Sequence, residues 1–145
     1  MARRRLLTFT GVACALALLV LPASALAQGN AQSLGSVKID KKVMANGQPL
    51  APGTYSVRLS SDSVTSVVGE SPDAEKWIEF VQGGQVKGKE LATVVTAADD
   101  KAVLKEKAPA AGTARVEELK GKDYLRVWIN HAGTNYLIHL ALATS

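Results

Sequence analysis

The chain has 145 residues, with 17 basic and 13 acidic side chains, two histidines and one cysteine. One cysteine excludes an intrachain disulfide framework, and the length is that of one ordinary domain. A formal net charge of +4 invites a nucleic-acid reading, which the N-terminus removes.

Arg3, Arg4 and Arg5 precede an apolar run over residues 6–21, interrupted only by Thr8, Thr10 and Gly11. Pro22-Ala23-Ser24 breaks the run, and Ala25-Leu26-Ala27 offers the small residues that signal peptidase needs at −3 and −1. The pattern predicts a signal peptide over residues 1–27, cleaved after Ala27, and a secreted or periplasmic protein with no membrane span in its mature form. A retained anchor would need about 20 apolar residues and no cleavage site. Lipidation would need a cysteine at the end of the run, whereas Cys14 lies in its middle. Three arginines leave with the signal, so 14 basic residues face 13 acidic ones and the mature charge is +1. That balance gives no basis for a nucleic-acid partner. The cysteine leaves too, so the exported domain must be held by its core alone. A chain of this length can bury about two-thirds of its unfolded surface.

Residues 28–34 (QGNAQSL) read as a flexible leader, and the domain as residues 35–145. From there Val37, Ile39 and Val43 alternate with Lys38, Asp40 and Lys42, the period of a half-buried strand. Asn46-Gly47 marks a turn because both residues tolerate positive φ. Pro52-Gly53 marks another, and Tyr55, Val57 and Leu59 then alternate with polar residues. After a Ser/Asp-rich stretch with an apolar piece at 64–68, residues 69–74 (GESPDA) read as a loop. Residues 76–82 and 85–96 form the clearest hairpin, turning at Gly83-Gly84. Residues 102–107 (AVLKEK) are expected to be a short strand and 108–113 a breaker. A strand over 113–119, a turn at 120–122 and a final hairpin from Tyr124 to Leu142 complete the chain.

About seven to eight strands with turn signals throughout, and no convincing amphipathic helix, predict an all-β fold. The expectation is a single antiparallel β-sandwich, Ig-like or prealbumin-like. An outer-membrane barrel fits poorly, since the mature chain has only six aromatics, Tyr55, Trp77, Phe80, Tyr124, Trp128 and Tyr136, with which to build girdles.

The stretch NGQPLAPGTYSVRL, residues 46–59, resembles a pattern in small secreted bacterial β-sandwich proteins of unknown function. It is also similar to strand pairs of prealbumin-like and carboxypeptidase-regulatory-like sandwiches. The resemblance implies fold and compartment and carries no catalytic residue. In physical terms it is a turn, a Pro-Gly corner, and a strand whose Tyr55 enters the core with its hydroxyl free to bond nearby backbone.

Catalytic chemistry finds little to work with. The mature chain keeps His131 and His139, no cysteine, and no HxH or HExxH spacing. In the final hairpin Arg126 falls opposite His139, and a cation there disfavours a metal. Asp99-Asp100 lacks a calcium-loop pattern. No G-x-S-x-G elbow exists. Glu117-Glu118 reads as solvated charge, and Glu75 and Glu79 stand about 13 Å apart by strand rise, too far for glycoside hydrolysis. Residues 83–89 (GGQVKGK) lack phosphate-loop spacing. The expectation is no enzyme, no metal and no cofactor; a small secreted hydrolase would require His131 or His139 beside a carboxylate.

The final hairpin is the one place where chemistry-bearing residues gather. If Asn130 pairs with Asn135, then Trp128 faces Leu137 and Tyr124 faces Ala141. One face is then apolar: Leu125, Val127, Ile129, Tyr136, Ile138, Leu140 and Leu142. The other carries Tyr124, Arg126, Trp128, Asn130, Asn135 and His139, the candidate ligand-binding set. Three readings stand: structural cover by a loop, a protein partner at the cell envelope, or a glycan or envelope polymer stacked on the aromatics.

Overall fold

The computed structural model describes residues 31–65 and 67–144. The expected signal peptide, its cleavage site and leader residues 28–30 lie outside the described residues. Nine strands follow in chain order: β1 Ser33–Ile39, β2 Val43–Ala45, β3 Gln48–Leu50, β4 Gly53–Leu59, β5 Glu75–Gln82, β6 Gln85–Val95, β7 Thr113–Glu118, β8 Tyr124–His131 and β9 Thr134–Leu142. One helical turn, α1 Asp100–Val103, separates β6 from β7. The fold is all-β and antiparallel, as expected.

The strands belong to one continuous sheet. Neighbours run β1-β4-β5-β6-β9-β8-β7, with the β2–β3 hairpin attached to β9. Strand β9 makes this branching possible. One of its edges pairs with β8 from Thr134 to Ala141. Its other edge is divided, with residues 135–138 on β6 and residues 141 and 142 on β2. The short hairpin therefore fills the fork where β6 and β9 diverge. Gly88 of β6 makes this seat, since a Cβ there would lie 3.1 Å from Leu50 and 3.2 Å from Ala45. Glu90 secures it by accepting the Asn46 backbone N–H at 2.6 Å.

Seven successive antiparallel neighbours leave β1 and β7 running the same way. The sheet curls until these end strands come within 8 Å of each other at Cα, and Lys41, just past β1, pairs with Glu118 at the end of β7. The curl puts one face of the strands inside. Val37, Ile39, Tyr55, Val57, Ile78, Phe80, Ala92, Leu125, Val127, Ile129, Tyr136, Ile138 and Leu140 share this core. The period-2 alternation of the sequence is what selects them. Tyr55 meets Phe80 edge-on at 6.3 Å between centroids, and its hydroxyl donates to the Ala51 carbonyl at 2.6 Å.

Local chemistry explains the turns. Asn46 and Gly47 have φ of 44° and 81°, the pair of positive values that a two-residue hairpin requires. Ala132-Gly133 does the same between β8 and β9 with φ of 52° and 88°. There the alanine accepts a conformation that costs an L-residue roughly 1–2 kcal/mol, and Asn130 helps to hold it by accepting the Gly133 N–H at 3.0 Å.

Two sequence expectations need correction. Strand β1 starts at Ser33, inside the expected leader, because a bulge at Gly35 shifts the alternation and lets Leu34 enter the core. Residues 102–107 are not a strand. The Asp99 and Asp100 amides bond back to the Thr96 carbonyl and start the turn of α1, after which the chain crosses the sheet surface without a ladder. Val67 and Val68, from the apolar piece, are exposed.

Candidate functional site

The register of the final hairpin is the expected one: Arg126 opposite His139, Trp128 opposite Leu137, Asn130 opposite Asn135, and Tyr124 opposite Ala141. Its apolar face lines the core, with Leu142 packed at the margin. The mixed face points outward, where alternation alone would leave it in solvent. Instead a strap, residues 104–112, crosses it.

Trp128 is 1% exposed. With Val95 and Leu137 it forms a second, smaller apolar cluster, against which Leu104 and Ala108 of the strap pack. Its indole N–H donates to Asn135 Oδ1 at 2.8 Å. Asn135 is itself 1% exposed, and its Nδ2 has no partner. Two guanidiniums lie over the indole, Arg115 at 4.7 Å and Arg126 at 5.4 Å from the ring centroid. Arg115 is there because β7 pairs with β8 so that Arg115 faces Trp128 and Glu117 faces Arg126.

Carboxylates close the array. Glu117 accepts from Arg126 Nε at 2.8 Å. Glu106 of the strap reaches both cations, at 3.1 Å from Arg115 and 2.8 Å from Arg126. Burial works against the charged form of Arg126, but Glu117 and Glu106 outweigh it and hold its pKa above the ordinary value. Asn130 donates to the Pro109 carbonyl at 2.9 Å, and Arg115 donates to the Lys107 carbonyl at 3.1 Å. The strap is thus fastened by side chains of the sheet rather than by a strand ladder.

Tyr124 and His139 remain open to solvent. Some burial of the imidazole and the neighbouring Arg126 cation push the His139 pKa below its ordinary value. Tyr124 borders a shallow basin of about 690 Å³, also lined by Asp40, Lys42, Lys122 and Asp123. The six candidate residues therefore separate. Trp128 and Asn135 are sealed beneath the strap, Arg126 and Asn130 hold it, and Tyr124 and His139 face water.

The sequence reading missed Arg115, Glu106, Leu104 and Ala108. Arg115 was within reach, since pairing the ends of the flanking strands, Leu119 with Tyr124, places it opposite Trp128. Nothing in the local pattern of residues 104–108 announces a cover. Among the described residues, no group of three or more His, Cys, Asp or Glu side chains is placed to hold a metal ion, and no helix is long and apolar enough to cross a membrane. No family model, no curated protein and no solved structure matches the chain.

Proposed function

We propose that this chain is an exported, non-catalytic binding or structural module of the bacterial periplasm or cell exterior. The single observation that carries the reading is the commitment of the strap-covered part of the hairpin's polar face to internal partners. Trp128, Arg115, Arg126, Glu106, Glu117, Asn130 and Asn135 bond to one another or to the strap, which leaves no free acid or base beside a nucleophile there. The residues of the predicted signal supply the compartment. Expression with its own N-terminus in a bacterial host should release a protein whose intact mass starts at Gln28. A retained signal, or lipid on Cys14, would overturn the export reading.

A second reading, a carbohydrate- or envelope-polymer-binding protein, is favoured at Tyr124 rather than at Trp128. A sugar cannot stack on an indole that is 1% exposed, whereas the Tyr124 ring is 47% exposed beside the carboxylates and ammonium groups of the basin. An aromatic flanked by planar acceptors and flexible donors suits sugar hydroxyls. Co-sedimentation with purified cell walls, lost on Tyr124→Ala and kept on His139→Gln, is the expected pattern. Equal sedimentation of Tyr124→Ala and wild type would remove this reading.

A further inference from the structure

We propose that the strap is a displaceable cover, and that the Arg115–Trp128–Arg126 stack beneath it is a docking site for a partner-protein segment that carries an apolar side chain and, two residues on, a carboxylate. The inference rests on the reading of the chain as an exported binding module.

Three observations converge on this face. First, the described residues contain two buried side-chain polar atoms without a hydrogen-bond partner, Arg115 Nε and Asn135 Nδ2. Both are donors, and both belong to residues that touch Trp128, one stacked over its ring and the other bonded to its N–H. Buried donors are ordinarily satisfied, so two on one face mark a surface short of acceptors under its present cover. The Glu117 carboxylate is 3.6 Å from Arg115 Nε, too far for a hydrogen bond.

Second, the strap is lightly held. Its carbonyls at Lys107 and Pro109 accept only from side chains, and Gly112 makes its one backbone bond to the sheet, N–H to the Asn130 carbonyl. Lys105, Glu106, Lys107, Ala110 and Ala111 are exposed, and Leu104 and Ala108 are only half-buried.

Third, the strap shows what the site recognises. Leu104 packs on the Trp128 cluster, and two residues later Glu106 bridges both arginines. The chain bends at Lys105 and Glu106 between these two contacts, so the recognised element is an apolar side chain followed two residues on by a carboxylate. With Glu106 withdrawn, two guanidiniums face one remaining carboxylate, Glu117, and the face becomes cationic. Guanidinium forks are suited to a carboxylate on an incoming chain.

Fluorescence of the mature protein carrying Trp77→Phe, which leaves Trp128 as sole reporter, tests the inference. Adding Glu106→Ala should raise acrylamide quenching of Trp128 while the far-UV β spectrum persists. The open population should rise by about two- to thirtyfold, the yield of losing two ion pairs of ordinary surface strength. The peptide AVLKEKAPAA, identical to residues 102–111, should restore shielding, and the same peptide with alanine for glutamate should not. The strap-intact protein should need more peptide, because its competent state is the minor one. Glu106→Gln, which keeps size but not charge, should open to an intermediate degree and guards against a folding defect in Glu106→Ala. Loss of the β spectrum in both variants, or unchanged quenching in both, would show the strap to be part of the core and overturn the inference. Protection by oligogalacturonate but not by the peptide would overturn the assignment to a protein partner. Failure of the export reading would appear in the mature mass and leave these results unchanged.

Discussion

Replacing Trp128 with phenylalanine isolates the buried hydrogen bond on which the covered face depends. Phenylalanine still offers a ring to Arg115 and Arg126 but has no N–H. The Asn135 carbonyl, now bonded at 2.8 Å, would be left bare at a position 1% exposed. Since Asn135 Nδ2 already lacks a partner, the whole amide would be unsatisfied. An orphaned buried polar group costs about 1–3 kcal/mol, and the void left by the smaller ring adds on the order of 1 kcal/mol. Trp128→Phe should therefore lower the unfolding free energy by about 2–4 kcal/mol, a large share of the ~5–15 kcal/mol of a typical domain. Urea unfolding followed by far-UV circular dichroism is the assay, with an unchanged m-value expected. Asn135→Leu alone should also destabilise, because it strands the indole N–H. The double variant should be less destabilised than the two singles together, with a coupling of about 0.5–3 kcal/mol. A Trp128→Phe protein within about 0.5 kcal/mol of wild type, the ordinary range for inconsequential surface changes, or strictly additive effects, would refute the reasoning.

Other outcomes follow from the same geometry. Gly88→Val should push the β2–β3 hairpin off its seat, since even a Cβ meets Leu50 at 3.1 Å; overpacking of about 1–3 kcal/mol is expected in thermal or urea melts. Ile138→Asp should abolish soluble expression, because Ile138 is fully buried and, among the described residues, Asn135 is the only buried polar one, so no buried cation meets a carboxylate; wild-type yield would contradict the assigned core. His139 has its folded pKa below the ordinary 6.5, so the unfolded chain binds the proton more readily and stability is lost as pH falls through the folded value. His139→Gln should flatten the decline in stability below pH 6.5; an unchanged slope in urea melts across that range would contradict the assigned cause.

Much of this architecture was legible in the residues themselves, and the reason is local. The β8–β9 register follows from strict alternation and a two-residue turn, which fix a hairpin without help from the rest of the chain. The same holds for Gly83-Gly84 between β5 and β6 and for the inward Tyr55. Long-range choices were less visible. The insertion of β2–β3 into the fork of β6 and β9 depends on Gly88 being small, a fact that gains meaning only once Leu50 and Ala45 arrive above it. Residues 102–107 were misread as a strand because Val103 and Leu104 carry β-like composition, although the strap that begins there is tied to the sheet mainly through side chains. For the candidate site, alternation placed the six residues on one face of the hairpin but could not say what lies over it. Tertiary cover is set by a segment some twenty residues upstream whose local pattern is that of any polar loop.

The central structural claim is that Trp128 is sealed in the resting protein. Acrylamide quenching of the mature Trp77→Phe protein measures this directly. Trp128, at 1% exposure, should show a quenching slope far below that of a free indole, and the slope should rise to the free value only on unfolding in urea. A slope close to that of free indole while the β spectrum is intact would contradict the cover over the Arg115–Trp128–Arg126 stack.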